Sequence, residues 1–418
     1  MNHACSALTL IGCLAATTSL DAQTHWPQFR GADSRGIGTS DRLPLEWSRE
    51  KNVAWHVEIP GRGWSSPIIW GDRVFLTTAV SEGAEEPPRR GLYFGGERGA
   101  STNRHRWLMV CLERDTGQRL WTTELAAAPP AASIHVKNSH ASETPVTDGE
   151  RVYALFGQLG VHCLDFDGQV LWSKPLDPRE TRYGWGTSIS PVLHGDRLFV
   201  VRDFEGRSEL IAFNKHTGEE VWKVEREEPT NFATPYVWQN ADRTELVVPG
   251  RNQVRSYDLD GRLLWWLKGL STITIPTPFE ADGLLYLAAG YVGDKENPNK
   301  PVYAVRPGGA GDLTLPEGER SSRFIAWMEP NAAPYNPSPL AYNGGLYVLW
   351  DFGFLSNRDV KTGAETYDKQ RLKTDGTAAF TASPWAYRGR IFCLSEDGDT
   401  YVVKAGDQCE LERVNSLD

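Results

Sequence analysis

The chain has 418 residues, of which 40% are hydrophobic and 23% charged, a composition that suits a large folded core and excludes intrinsic disorder. Its net charge of −10, from 44 basic and 54 acidic residues, disfavours a nucleic-acid partner. Beyond the first two dozen residues, no apolar run reaches the length of a membrane span. The 16 tryptophans, 40 glycines and 26 prolines indicate many short strands joined by turns, and hence an all-β fold.

The first 22 residues resemble a secretory signal peptide, because the apolar stretch 7–16 is followed by small and polar residues up to Ala22. We therefore predict a periplasmic or secreted protein. The alternative is a lipid-anchored protein, since the four residues ending at Cys13 resemble a lipoprotein box. After the leader, we predict an N-terminal extended segment at 23–46 and one repeat domain at 47–418.

Four cysteines follow the predicted leader. Their wide spacing matches neither a zinc site nor an adjacent Cys-Cys pair. We interpret them as buried apolar thiols rather than disulfides. They are Cys111, Cys163, Cys393 and Cys409.

A repeated unit runs through the chain. Each unit opens with Ser/Thr-Pro, continues to a turn and then enters an apolar strand. Proline suits the start of a strand where no backbone donor is needed. The seven openings are Ser66-Pro67, Thr144-Pro145, Ser190-Pro191, Thr234-Pro235, Thr277-Pro278, Ser338-Pro339 and Ser383-Pro384.

Most units close with a second signature, roughly Asp-x-x-Thr-Gly-x-x-x-Trp, although a Gly-rich insertion replaces its turn in the fifth unit and the seventh unit retains only Ala405-Gly406. Two hairpins per unit give four antiparallel strands, and glycine supplies the positive φ of the last turn. The tryptophan is too large for one small sheet to bury, so we expect it to dock against the next sheet, as in a β-propeller. The predicted docking residues are Trp55, Trp121, Trp172, Trp222, Trp265, Trp327 and, in the sixth unit, Tyr367.

These openings and closings resemble the tryptophan-docking repeats of the PQQ-like propeller family. That family includes the pyrroloquinoline-quinone (PQQ) dehydrogenases and the outer-membrane assembly factor BamB. The likeness covers about residues 47–418, and the segments 26–31, 91–96 and 137–140 are most similar to secreted PQQ-like proteins of environmental bacteria. The resemblance implies a propeller but leaves the function open, because this fold carries both enzymes and scaffolds.

Residues 52–60 resemble a further closing strand with Trp55 in the docking position. The seventh unit already has its own closing strand at 410–414, so the N-terminal strand would belong to an eighth blade. We therefore predict eight-bladed geometry with seven complete blades and an incomplete eighth, which exposes sheet edges. A seven-bladed ring with an appended strand is the alternative.

The segments before the Ser/Thr-Pro openings are expected at the entrance of the central channel, because innermost strands line the channel of a propeller. They offer aromatic faces and polar groups that suit a sugar, a planar cofactor or a peptide, although every propeller lines its channel with some side chains. The candidate ligand-face residues are Trp64, Ser65, Asn138, His140, Tyr183, Trp185, Asn231 and Asn336.

Three functions are compatible with the sequence. The first is an extracytoplasmic, non-catalytic binding or scaffold propeller, because no nucleophile elbow, zinc-protease motif or phosphate loop occurs. The second is a PQQ-dependent alcohol or sugar dehydrogenase with calcium, although this chain lacks the adjacent Cys-Cys pair that many such enzymes have. The third is a carbohydrate-binding propeller that uses Trp64, Trp185 and the loop 91–96.

The first hypothesis carries further expectations. No metal site is predicted, since His135 and His140 have no third ligand spaced with them. We expect a monomer without a bound cofactor, a transmembrane span or a nucleic-acid partner. Its expected ligand is a protein partner or a small polar or glycan molecule at the channel face.

We predict that Trp222→Ala lowers the free energy of unfolding by about 3–5 kcal/mol, because truncating a docked indole leaves a large cavity. Urea unfolding of the purified protein measures this loss. A loss below about 1 kcal/mol would mean that Trp222 does not clasp two sheets.

Overall fold

The computed structural model describes residues 25–40, 42–91, 99–251, 253–376 and 378–417. Within these ranges the chain forms seven successive sheets, each built on four antiparallel strands, with one 3-10 helix at Arg182–Gly184. This confirms the all-β propeller predicted from the repeat. No helix in these ranges is long and apolar enough to cross a membrane. The predicted leader, including Cys13, lies outside the described residues.

Each sheet is one blade, and it runs from an inner strand beside the channel to an outer strand at the rim. A two-residue strand, β1 (His25–Trp26), precedes the blades. The strands of blades 1 to 3 are β2 (Ile68–Trp70), β3 (Arg73–Ser81), β4 (His105–Glu113) and β5 (Arg119–Ala128); β6 (Val146–Thr147), β7 (Arg151–Phe156), β8 (Gly160–Asp165) and β9 (Val170–Pro175); and β10 (Val192–His194), β11 (Arg197–Arg202), β12 (Ser208–Asn214) and β13 (Glu220–Arg226).

The later blades repeat this order. The strands of blades 4 to 7 are β14 (Tyr236–Gln239), β15 (Thr244–Pro249), β16 (Gln253–Tyr257) and β17 (Leu263–Lys268); β18 (Phe279–Ala281), β19 (Leu284–Ala288), β20 (Val302–Val305) and β22 (Ile325–Glu329); β23 (Leu340–Tyr342), β24 (Gly345–Trp350), β25 (Phe354–Asp359) and β26 (Glu365–Arg371); and β27 (Trp385–Tyr387), β28 (Arg390–Leu394), β29 (Thr400–Lys404) and β30 (Glu410–Asn415). The insertion of blade 5 contains β21 (Gly311–Asp312), which pairs in parallel with β17 of blade 4.

The Ser/Thr-Pro openings tie the inner strands of neighbouring blades together. The backbone N–H of Ser66 donates to the Thr144 hydroxyl at 3.0 Å, and the N–H of Thr144 donates to the Ser190 hydroxyl at 3.0 Å. The same bond recurs from Ser190 to Thr234, from Thr277 to Ser338 and from Ser338 to Ser383. The hydroxyl is therefore an acceptor between blades, and the proline after it has no N–H to leave unpaired.

The docking tryptophans lie on the glycine turns of the next blade. Trp121 of blade 1 donates from Nε1 to the carbonyl of Phe166 at 2.8 Å, and a Cβ added to Gly168 would meet the indole at 2.6 Å. Gly168 also has a φ of +84°, so both the ring and the backbone require glycine. The other pairs with this geometry are Trp55 with Gly117, Trp172 with Gly218, Trp222 with Gly261 and Trp327 with Gly363.

Two of the predicted docking residues have different surroundings. Trp265 is fully buried, but it donates to Oε2 of Glu245 in its own blade at 2.6 Å, because the insertion of blade 5 replaces the glycine turn. Tyr367 packs with Cys409 in the cluster between blades 6 and 7. The exceptions therefore fall where the closing signature itself departs from its pattern.

The four cysteines of the described chain are free thiols. Three are buried in sheets and one is half-buried. Burial raises the pKa of the Cys111 thiol to about 11 and that of Cys163 to about 12. These thiols therefore pack as small apolar groups, as the sequence indicated.

The N-terminal residues fill the space between blade 7 and blade 1. Leu45 and Trp47 pack on blade 7, whereas Trp55 and Ile59 pack on blade 1. The segment thus covers the two blade faces between which an eighth blade would lie. The closing strand predicted at 52–60 is wrong, because these residues form no ladder; side chains such as Trp55 hold them on blade 1 instead.

We predict that Gly218→Ala lowers the free energy of unfolding by about 2–4 kcal/mol, because a Cβ would meet the Trp172 indole at 2.6 Å. Gly195→Ala is the matched control, since Gly195 also has a positive φ but no atom within 4 Å of an added Cβ. It is expected to lose only about 1 kcal/mol. Equal losses in urea unfolding would contradict the role of the glycine as a seat for the indole.

Candidate functional site

A cavity of about 230 Å³ opens at the channel entrance, where the segments before the inner strands meet. We call it the aromatic cup. Its lining includes His135, Lys137, Asn138, Trp185, Phe232, Tyr335, Asn336, Asp351 and Phe352. These residues come from several different blades, so the cup exists only in the closed ring.

Trp185 forms one wall of the cup and is fixed by the loop of blade 2. Its carbonyl accepts hydrogen bonds from Asn138 Nδ2 at 2.8 Å and from the N–H of His135 at 3.2 Å. The preceding residues form a 3-10 turn in which Tyr183 has a φ of +56°. This strained turn holds the Tyr183 ring 5.1 Å from the Trp185 ring and leaves Tyr183 exposed at the rim.

Asp351 organises the opposite wall. Its Oδ2 accepts from the N–H of Tyr335 at 2.9 Å, and its Oδ1 accepts from the N–H of Asn336 at 3.0 Å and from Nδ2 of the same residue at 2.5 Å. Burial raises the pKa of Asp351, although these donors oppose the rise. The carboxyl group therefore fixes the loop that carries Tyr335 and Asn336, and the neighbouring Phe352 remains exposed.

An ion pair between Lys137 and Glu396 links blade 2 to blade 7 at the cup. Lys137 also donates to the carbonyl of Gly91 at 2.8 Å, and the N–H of Gly91 donates to Oε2 of Glu396 at 2.8 Å. Both charged side chains are largely buried, so the pair is weakly screened by solvent. It attaches the insertion of blade 1 to the channel entrance. Residues 92–96 of the predicted sugar-binding loop lie outside the described residues.

Of the eight candidate ligand-face residues, the structure places Asn138, Trp185 and Asn336 in the cup. Tyr183 stands at its rim beside Trp185. The Trp64 side chain is exposed, and its backbone N–H donates to the Ser139 hydroxyl at 3.1 Å. The two predicted amides in the cup are thus occupied by protein partners, whereas the aromatic faces are available.

The other three candidates have structural partners away from the cup lining. Ser65 donates from its hydroxyl to the carbonyl of Thr77 at 3.2 Å. Asn231 is buried and donates to the carbonyl of Pro249 at 2.7 Å. His140 lies in a separate aromatic group. Polar residues near the channel entrance can therefore bind backbone groups of the blades instead of facing the channel.

His140 packs against blade 1 rather than facing a ligand. The His105 ring lies edge-on to it at 5.0 Å, and Trp107 donates from Nε1 to its carbonyl at 2.9 Å. Burial, together with the neighbouring His105, lowers the pKa of His140 from 6.5 to about 4. In the described part of the chain, no group of three or more His, Cys, Asp or Glu residues is arranged to hold a metal ion.

Asp351 and Phe352 were not among the predicted ligand-face residues, because the prediction was confined to the segments before the inner strands. The two residues follow β24, in the turn between the second and third strands of blade 6. Antiparallel strands alternate in direction, so this turn reaches the same face of the propeller as the opening segment. The available signal was an acidic-aromatic pair directly after an apolar strand.

A family model described as outer membrane protein assembly factor BamB matches residues 45–182 and 161–288. Among curated proteins, none matches this chain. The chain is similar in structure to BamB from Moraxella catarrhalis, with a TM-score of 0.48 and 15% identity over 72% of this chain and 81% of that chain.

Two dehydrogenase structures are also similar. A europium-containing methanol dehydrogenase has a TM-score of 0.52 and 11% identity over 92% of this chain and 90% of that chain. Quinohemoprotein alcohol dehydrogenase ADHIIG from Pseudomonas putida HK5 has a TM-score of 0.51 and 11% identity over 92% of this chain and 76% of that chain. At these identities, the similarity shows the fold alone.

We predict that His140 makes the protein less stable in acid. Its pKa in the fold is about 4, below its ordinary 6.5, so acidification protonates the unfolded chain first and stability falls with pH through this window. Between about pH 7 and about pH 4.5, His140→Gln should lose about 2 kcal/mol less unfolding free energy than the wild type. Exposed His56→Gln is the control, and an identical pH dependence in both variants would contradict this assignment.

Proposed function

Because this chain belongs to the family whose model is described as outer membrane protein assembly factor BamB, we propose that it is an extracytoplasmic binding propeller that holds a protein partner at the aromatic cup. The supporting observation is a set of exposed aromatic side chains at the channel entrance. Trp64, Tyr183 and Phe352 are 49%, 44% and 48% exposed. Large exposed aromatics around an apolar cavity are typical of interaction sites.

The size of the cup favours a protein segment as the ligand. Its volume of about 230 Å³ lies below the roughly 300–1,000 Å³ of pockets that enclose small-molecule ligands. A cavity of this size accepts an anchoring side chain, while the exposed rim contacts the surrounding surface of a partner. Interfaces concentrate their binding energy in such buried aromatic pockets.

The charged groups that line the cup, Lys137 and Asp351, already have protein partners, which disfavours PQQ with calcium, the cofactor of the dehydrogenase hypothesis. PQQ is a polycarboxylate, and its binding requires cations that are not already neutralised. In the described part of the cup, Lys137 is paired with Glu396, and both oxygens of Asp351 accept N–H donors. We therefore propose that the cup binds a partner and does not hold PQQ.

Two observations support an extracytoplasmic location. Residues 1–22 are predicted to be a signal peptide, and the family model that matches this chain is described by an outer-membrane assembly factor. An extracytoplasmic propeller with an exposed aromatic face would meet envelope proteins as partners. Its role would be to hold such a partner in place.

We predict that a photoreactive amino acid at Phe352 crosslinks the full-length protein to a discrete partner in the native host. The same group at Asp196, in the exposed turn between β10 and β11 on the opposite face, is the control. Adding Trp185→Ala to the Phe352 protein should lower the adduct yield at least about five-fold, because that indole forms a wall of the binding pocket. Equal adducts from both faces, or a yield unchanged by Trp185→Ala, would contradict the proposal.

The dehydrogenase and carbohydrate-binding hypotheses each predict a different experimental result. Reduction of a dye by alcohols or aldoses, after PQQ and calcium are added to the purified protein, would overturn a non-catalytic role. Binding on a glycan array that Trp185→Ala abolishes would replace the protein partner with a carbohydrate at the same cup.

A further inference from the structure

Residues 25–38 cross the channel at the end opposite the cup, and we call them the channel segment. Its first residues form β1, which pairs antiparallel with β2 of blade 1. The N–H of Thr147 in blade 2 donates to the carbonyl of Pro27 at 3.0 Å. The last residues reach blade 7, where Ile37 pairs in parallel with Ala386.

The channel segment also faces the remaining blades. A cavity of about 420 Å³ separates it from the inner strands of blades 2 to 5. On the side of the segment this cavity is lined by Gln28 and Arg35, and on the side of the blades by residues such as Leu193, Tyr236 and Glu280. The channel segment therefore lies within the ring as a separate strip of chain, contacting its wall at discrete points.

The two ends of the channel segment are extended and pair with strands, whereas residues 28–35 between them form turns in which Arg30 and Ser34 have positive φ. Inner strands present an unpaired edge to the channel, and the segment pairs with that edge at blade 7. The N–H of Ala386 donates to the carbonyl of Gly36 at 2.9 Å, and the N–H of Gly38 donates to the carbonyl of Ala386 at 2.8 Å. Pairing of an extended segment with a free strand edge is a common mode of peptide recognition.

An aromatic stack fixes the first residue of the channel segment. The His25 ring stacks on Trp70 of blade 1, with the centroids 4.1 Å apart and an interplanar angle of 14°. Its Nδ1 accepts from the N–H of Gly71 at 3.1 Å. The turn of blade 1 therefore holds this ring by one polar and one apolar contact.

Arg30 anchors the middle of the segment. It is 6% exposed, and its guanidinium donates from Nη2 to the carbonyl of Pro339 in blade 6 and from Nε to the carbonyl of Ser34, both at 3.0 Å. A buried charge is costly unless hydrogen bonds replace its water. Because these carbonyl acceptors have fixed positions, the contact of Arg30 with Pro339 fixes where the channel segment lies along blade 6.

We infer that this end of the channel is a peptide-binding site and that the channel segment is its ligand, supplied by the same chain. The recognised chemistry is a peptide with a ring at its first position and an arginine five positions later, turned over 28–35 and extended where it pairs with blades 1 and 7. The site is distinct from the aromatic cup, so the inference is independent of the proposed function.

Full-length protein carrying Arg30→Glu tests the inference, because it weakens the internal ligand and frees the site. A fluorescent peptide of residues 25–38 should bind this variant and not the wild type, whose site is filled. A peptide with Arg30→Ala should bind at least about ten-fold more weakly, because it lacks charge-assisted hydrogen bonds. Absence of binding, or equal binding to both proteins, would overturn the inference.

A second peptide variant distinguishes the loss of the buried hydrogen bonds of Arg30 from the loss of a positive charge. Arg35→Ala removes the same charge from a half-buried guanidinium for which the described residues provide no hydrogen bond, so its affinity should stay within about three-fold. Equal losses for the two peptides would show that charge alone attracts the segment, and would also overturn the inference.

A second experiment covers a failure of the Arg30→Glu protein to fold. A protease site between the exposed residues Arg42 and Leu43 allows the folded chain to be cut after purification. If the channel is a peptide site, the released segment should co-elute with the propeller on size exclusion. Its immediate loss on cutting would contradict the inference.

Discussion

An indole that rests on a bare glycine of the next sheet holds this ring together. In the Trp121–Gly168 pair, the ring covers a residue that has no side chain, and the indole N–H binds the carbonyl of Phe166 two residues earlier. Burial of one tryptophan removes about 150–250 Å² from water, worth at most about 4–6 kcal/mol. The Ser/Thr-Pro openings add a hydrogen bond at the channel, so blades 1, 2 and 3 are joined to one another both at the rim and at the channel.

The periodic part of this structure could be predicted from sequence because each docking contact involves adjacent units. Trp172 and Gly218, for example, each occupy a fixed position in the closing signature of their own repeat, so their contact could be predicted from two neighbouring signatures. The cup was only partly foreseen, since Asp351 lies in a different turn from the opening segments. Residues 53–60 have the composition of a strand, but the structure provides no ladder for them, and Trp55 docks without one. A local pattern predicts a conformation; it does not specify whether a pairing edge is present.

The two ends of the channel have opposite character. At one end, aromatic side chains such as Phe352 stand open around a small cavity whose charged groups are already paired. At the other end, backbone pairing and the buried Arg30 hold a strip of the same chain across the lumen. Residues 23–46 were predicted only as an N-terminal extended segment that precedes the repeat domain. Their position is set by contacts with blades 6 and 7, which lie more than 300 residues away in sequence, so no short-range signal could reveal it.

Closure of the ring joins residues made at very different times. The N–H of Trp47 donates to Oδ1 of Asn415 at 3.3 Å, and Arg49 donates to the carbonyl of Leu417 at 2.7 Å, in each case across 368 positions. At about 5–20 residues per second, a ribosome needs on the order of 20–70 seconds to span that distance. Early blades can assemble on one another as they emerge, but Trp47 must wait for the final hairpin. The contacts of Trp47 and Arg49 with the C-terminal residues therefore form only once the last strand of blade 7 has been made, whereas β1 can pair with blade 1 much earlier.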